Sequence, residues 1–185
     1  MLRAFEELLL SKAIPMGLIS ASDGPVLRER HIADSLRAAE AFRDEDARCF
    51  DLGSGAGLPG IPLAVALPDR DFVLIESRSR RVGFLELAIE RLGLGNARVL
   101  RDRVEAVGER VAAGGITPAD VATARAFAPI DRSWKLAAPL LRPGGRLVYF
   151  AGEGLADPEA AARGAGAEEV LVLDSSAPLV IMGRR

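Results

Sequence analysis

Residues 51 to 60 read DLGSGAGLPG, and this stretch decides the fold. Gly53, Gly55, Gly57 and Gly60 directly follow the apolar run RCFDL at 48 to 52. Gly55-Ala56-Gly57-Leu58-Pro59-Gly60 fits the spacing G-x-G-x-x-G, in which residues without a Cβ let the backbone turn from strand to helix and approach a nucleotide-like ligand. Two ligand classes satisfy that pattern: a dinucleotide and an adenosyl amino acid.

Outward from the loop, apolar runs alternate with helical patterns, the order that builds a parallel sheet covered on both faces. Strands are expected at 48–53, 71–77, 97–101, 120–125 and in GRLVYFAG after the turn Arg142-Pro143-Gly144-Gly145. Helices are expected from Pro59 to about Leu67, over 80–92 with Gly93 or Gly95 ending it, in VEAVGERVA, in DRSWKLAAPLL and over about 155–165. EEVLVLD and APLVIMG, separated by a few residues around Ser175 and Ser176, are expected to pair as an antiparallel hairpin. Two helical patterns precede the sheet, at 2–12 and about 24–42, with Asp23 as N-cap and Pro25 just inside. The expected fold is α/β and Rossmann-like: seven strands, mostly parallel, with an antiparallel last strand. A single domain, 1–185, then comprises a helical part (1–45) and a cofactor-binding sheet (46–185).

The antiparallel ending separates the two ligand classes, because nicotinamide domains generally continue in parallel whereas S-adenosylmethionine-dependent methyltransferases append an antiparallel strand. Asp51 points the same way, since a carboxylate ahead of the first glycine repels a pyrophosphate but can orient the loop or meet the methionine ammonium. Glu76 closes the second strand, where a carboxylate can accept hydrogen bonds from both ribose hydroxyls.

Composition bounds the rest. The chain has 185 residues, 49% of them apolar and 27% charged, with a formal net charge of −2. That balance excludes a broadly basic nucleic-acid wrapper while leaving room for a local cationic patch. Apart from Lys12 and Lys135, every cation is an arginine. Glu6 and Glu7 interrupt the apolar start, unlike a signal peptide, and one cysteine, Cys49, cannot form an internal disulfide; a cytoplasmic location is expected. His31 is the single histidine, so no metal site is expected. Its spacing from Asp34 would let imidazole and carboxylate meet across a helical turn.

Arg30-His31-Ile32-Ala33-Asp34-Ser35-Leu36, then DLGSGAGLPGIPLAV, ESRSRRVGFL, RDRVEA and ATARAFAP stand in the order found in one family. Over roughly residues 15 to 183 the chain resembles the RsmG (GidB) methyltransferases, which methylate N7 of a guanine in small-subunit (16S) ribosomal RNA. The resemblance implies S-adenosyl-L-methionine as cofactor, held by Gly53, Ser54, Gly55, Gly57 and Leu58, with Glu76 and Ser77 at the ribose and adenine. Val104 and Glu105 would edge the adenine, and Arg125 would reach the methionine end or the substrate. Arg125 and His31 are thus candidates for a role in the transfer itself, and Arg78, Arg80 and Arg81 for contacts to RNA phosphates. Where the family carries a lysine after the fifth strand and an arginine before the last, this chain has Ala151 and, at about that place, Ala177. Small-subunit RNA, free or assembled, is the implied partner, no membrane is, and a monomer is expected.

Overall fold

The computed structural model describes residues 1–152, 154–173 and 177–184. The expected turn around Ser175 and Ser176 therefore lies outside the described residues. The sheet comprises β1 (Arg48–Leu52), β2 (Asp71–Ile75), β3 (Ala97–Leu100), β4 (Ala119–Arg125), β5 (Leu141–Phe150), β6 (Glu169–Leu173) and β7 (Leu179–Gly183). Their spatial order is β3-β2-β1-β4-β5-β7-β6. β1 to β5 pair in parallel, and β7 runs antiparallel between β5 and β6. The chain reverses direction across the sheet at β1, which has β2 on one side and β4 on the other. In open α/β sheets such a switch point opens a crevice at the carboxyl ends of the strands.

Strand alternation sends the side chains of β1 into two cores. Cys49 faces the amino-terminal helices and helices Gly60–Ala66 and Ser79–Leu92, whereas Phe50 and Leu52 face helices Val104–Ala112, Ile130–Ala137 and Pro158–Gly164. Burial pushes the Cys49 thiol well above its ordinary pKa, so it is an unreactive packing residue. The helix over 79–92 ends as its sequence requires, on Gly93 in the left-handed region (φ +64°). Asn96, just beyond it, donates from Nδ2 to the carbonyls of Ala64, Leu67 and Arg70 and so ties off the end of the neighbouring helix.

Three local expectations are corrected. Arg142-Pro143-Gly144-Gly145 does not precede β5 but is extruded within it: Ala119 pairs with Leu141 and Val121 with Arg146. Asp23 is not an N-cap; Ser20 takes that role, its Oγ accepting from the Ser22 N–H, because the chain first makes a short 3-10 stretch over Ala21–Val26. The continuous helix expected at about 24–42 is broken into that stretch, a π-helical segment Leu27–Ala33, one α-turn Asp34–Leu36 and a 3-10 stretch Arg37–Ala41. Among the described residues no helix is long and apolar enough to cross a membrane.

Candidate cofactor cleft and acceptor cavity

The glycine loop starts where β1 ends, and its glycines have different physical reasons. A Cβ on Gly60 would lie 2.7 Å from Asp51 Oδ2, and one on Gly57 would lie 2.5 Å from Ile61 Cδ1. Both therefore permit close packing of loop and helix against the strand. Gly53 faces the opening, where the ring of Phe127 lies so near that a Cβ would be 2.6 Å from Cδ2.

Asp51 supports the loop from beneath. It is 1% exposed, with Oδ1 accepting from Thr123 Oγ1 at 2.8 Å and Oδ2 buried against Gly60 without a well-formed hydrogen bond. Ser54, also buried, donates from Oγ to the Asp51 carbonyl. Of the two roles open to Asp51, orienting the loop fits this geometry. Burial, the leading cause, pushes its carboxyl up to about 6 against the hydrogen bonds that pull it down. Because the folded-state pKa is raised, the fold binds this proton more tightly than the unfolded chain. The stabilisation is present below the unfolded value and lost as pH rises through about 6. Titration of the Asp51 carboxyl by NMR should show that elevated midpoint, and Thr123→Val should move it higher by removing the donor to Oδ1; an ordinary midpoint would overturn the assignment.

Glu76 ends β2 with 4% exposure. Its Oε2 accepts from the Gly55 N–H at 3.2 Å and its Oε1 from the Arg78 N–H at 2.8 Å. The carboxylate thus latches the glycine loop to the start of the next helix; Oε1 keeps a lone pair for a further donor, while Oε2 also faces Arg81. Gly53, Glu76, Ser77, Val104, Glu105 and Phe127 all line one cleft of about 330 Å3. That is the low end of the roughly 300–1,000 Å3 usual for small-molecule sites. Apolar Ile75 and Val104 beside the Glu76 carboxylate suit an adenine next to a ribose. Ser54, Gly55, Gly57 and Leu58 shape the loop but are not on the cleft wall.

Arg78 and Arg81 also line this cleft, and Arg81 Nη1 lies 3.5 Å from Glu76 Oε2. Arg80 is exposed and does not line it. The three arginines therefore do not form one uniform face.

Beside the cleft is a second cavity of about 550 Å3, lined by Glu29, Arg30, Asp34 and Arg37 from the amino-terminal segment and by the ends of β4 and β5. Ala126 is the residue common to both linings, and it holds the left-handed conformation (φ +48°). Non-glycine residues rarely adopt that region except where the surroundings impose it, often at functional sites. Ala151 and Ala177 line the second cavity too, as does Tyr149, whose hydroxyl donates to the Ala128 carbonyl. Arg37 Nη2 donates to the Ala177 carbonyl at 2.5 Å.

Arg125, at the end of β4, joins the two parts of the chain. Nη1 donates to the His31 carbonyl and to Ser35 Oγ, and Nη2 to the Arg30 carbonyl and His31 Nδ1 at 2.7 Å. Asp34 Oδ2 lies 3.3 Å away, and the guanidinium sits 5.7 Å from the Phe150 ring centroid. The expected meeting of His31 with Asp34 does not occur. The π-helical path turns His31 Nε2 toward Asp23 Oδ2 at 3.5 Å, while Asp34 Oδ1 accepts from Arg37. Burial, then the Arg125 charge, lower the His31 pKa, and Nδ1 as acceptor places the proton on Nε2. Trp134 is buried in the core and away from both cavities. No cluster of metal-ligating side chains occurs among the described residues.

The fold is shared with solved methyltransferases at low sequence identity. A SAM-dependent methyltransferase from Aquifex aeolicus superposes with a TM-score of 0.61 at 16% identity, covering 90% of this chain and 96% of that one. The N-terminal domain of EvdMO1 with SAH bound gives 0.62 at 17%, covering 89% and 84%. Strand order and glycine loop are those of the class I methyltransferase fold. A family model described as rRNA small subunit methyltransferase G matches residues 1–172, and the chain belongs to this GidB family. Proteins named Ribosomal RNA small subunit methyltransferase G are 42% identical over 173 residues in Salinispora arenicola and 41% over 153 residues in Mycobacterium leprae. A third from Corynebacterium efficiens is 41% identical over 175 residues. These alignments cover 92%, 83% and 91% of this chain and 67%, 60% and 73% of the respective relatives.

Glu76→Ala should weaken S-adenosylmethionine binding by about 1–3 kcal/mol, the usual cost of removing hydrogen bonds to a charged partner. Calorimetry would measure it, and an unchanged affinity would place the ribose elsewhere.

Proposed function

We propose that this chain transfers a methyl group from S-adenosylmethionine to N7 of a guanine in small-subunit ribosomal RNA. The observation that carries the reading is the pair of adjoining cavities at the strand ends, one lined by Glu76 beside apolar Ile75 and Val104 and the other of about 550 Å3, sharing Ala126. When bound, the cofactor supplies an electrophilic methyl group. Guanine N7 carries a lone pair and no proton, so no general base is required of the protein. The chain's task is alignment and exclusion of water, for which proximity and orientation are the leading contributions.

In this reading the cofactor lies along Gly53, Glu76, Ser77, Val104 and Glu105, and the base enters between the amino-terminal segment and β5. Asp51, Ser54, Gly55, Gly57 and Leu58 serve the cofactor through the shape of the loop. Arg30 and Arg37 bring cationic charge to the cavity that also holds Ala151 and Ala177. In this reading Arg78, on the cleft lining, and Arg80, exposed beside it where the next helix begins, would meet RNA phosphates. Arg81, tied to Glu76, bears on the cofactor side. His31 acts through Arg125 in holding the cavity wall. We infer a protein acting as a monomer in the cytoplasm, where small subunits are assembled.

The test is methyl transfer from labelled S-adenosylmethionine to small subunits lacking the modification, with the modified base mapped. Label on a guanine N7 of the small-subunit RNA is the expected result. Cofactor binding without label in RNA would overturn it.

A further inference from the structure

We infer that Glu29 reads the hydrogen-bonding edge of the target guanine and is a specificity-determining residue of the acceptor cavity. The inference rests on the guanine-N7 reading above.

N7 and the N1–H/N2–H2 edge lie on opposite sides of the guanine ring system. With N7 turned toward Ala126, the residue common to both linings, that donor edge is turned away from the cofactor cleft and toward the rest of the acceptor lining. Two neighbouring N–H donors are matched by one carboxylate, as a carboxylate accepts but cannot donate. Adenine presents an unprotonated N1 on the same edge, which a carboxylate would repel. The wall thus needs a carboxylate whose oxygens are not already committed.

Two carboxylates line this cavity among the described residues, Glu29 and Asp34. Asp34 is held between two guanidinium groups, Oδ1 accepting from Arg37 Nη1 at 2.7 Å and Oδ2 facing Arg125 Nη1 at 3.3 Å, so both of its oxygens are turned toward cations of the protein. Glu29 is exposed on the Leu27–Ala33 segment, where no hydrogen bond or ion pair within the described residues engages it. Arg30 and Arg37 on the same lining keep the local field favourable to an anion, and Tyr149 and Phe150 offer aromatic surface from β5. The segment carrying Glu29 is fixed to β4 through the bonds of Arg125 to the Arg30 and His31 carbonyls, so the carboxylate is presented by a held backbone.

Because the Glu29 side chain engages no partner among the described residues, Glu29→Ala should fold as wild type and bind S-adenosylmethionine unchanged by calorimetry. The experiment compares wild type and Glu29→Ala on small subunits reconstituted with RNA bearing either guanine or inosine, which lacks the 2-amino group, at the methylated position. Wild type should prefer guanine by roughly 10- to 100-fold in kcat/KM, and Glu29→Ala should lose most of that preference by falling on guanine far more than on inosine. Equal losses on both substrates, or an undiminished preference, would overturn the role of Glu29 while leaving the activity in place. Transfer to neither substrate by wild type would overturn the guanine-N7 reading and this inference with it.

Discussion

Asp46→Ala should cost the fold about 3–5 kcal/mol, a large part of the roughly 5–15 kcal/mol that holds a domain together. Asp46 and Arg146 form an ion pair whose side chains are 1% and 5% exposed. Arg146 reaches Oδ2 through Nη2 and Oδ1 through Nη1, while its Nε donates to the Ala41 carbonyl at 2.7 Å. The Arg43 N–H donates to Asp46 Oδ2 at 2.6 Å, so one carboxylate also closes the turn that leads from the amino-terminal part into β1. Removing it leaves a buried guanidinium without its counter-charge, which is far worse than removing both members. Asp46→Ala combined with Arg146→Met should therefore recover much of the loss. Urea denaturation of the two single variants and the double variant measures this as a coupling energy. A loss below about 1 kcal/mol for Asp46→Ala, typical of exposed pairs, would show that water reaches the pair.

This pair shows where sequence reading stops. Strands and helices of the sheet were legible because their signals are local: a short apolar run in β1, a glycine after Leu92, an apolar face through Val82, Leu85 and Leu92. The glycine loop was legible for the same reason. Asp46 and Arg146 are 100 residues apart, and nothing near either residue marks it as buried rather than solvated. The amino-terminal part was hardest, since its apolar spacing reads as α-helix, whereas the π and 3-10 turns it forms have other numbers of residues per turn and so rotate the polar side chains. A rotation of that kind is enough to exchange Asp34 for Asp23 as the neighbour of His31. Within the site, residues on the cleft wall were found by type and place, Glu76 above all, whereas Phe127 on Gly53 and the shared Ala126 depend on the path after β4. Ala126 carries no chemical signal in sequence; only its positive φ distinguishes it.

The same distinction between local and long-range signals governs Arg125, which the family resemblance places at the methionine end or the substrate. Its guanidinium lines the acceptor cavity and donates to two backbone carbonyls, Ser35 and His31, with 16% of the side chain exposed. We therefore expect Arg125→Ala to release the 27–36 segment from β4, deforming the acceptor cavity while leaving the cofactor cleft, of which Arg125 is not a lining residue, in place. Turnover should fall about 100-fold, as misplacement of about 1 Å can do, with S-adenosylmethionine affinity changed by less than about threefold. Amide exchange over residues 27–36 should accelerate relative to β1 and β4, a change that loss of a direct substrate contact would not produce. Arg125→Lys should not rescue turnover, because an ammonium cannot reproduce the planar fork that meets four acceptors at once. If cofactor affinity instead falls in step with turnover while exchange in the segment is unchanged, Arg125 reaches the cofactor directly and the clamp is secondary.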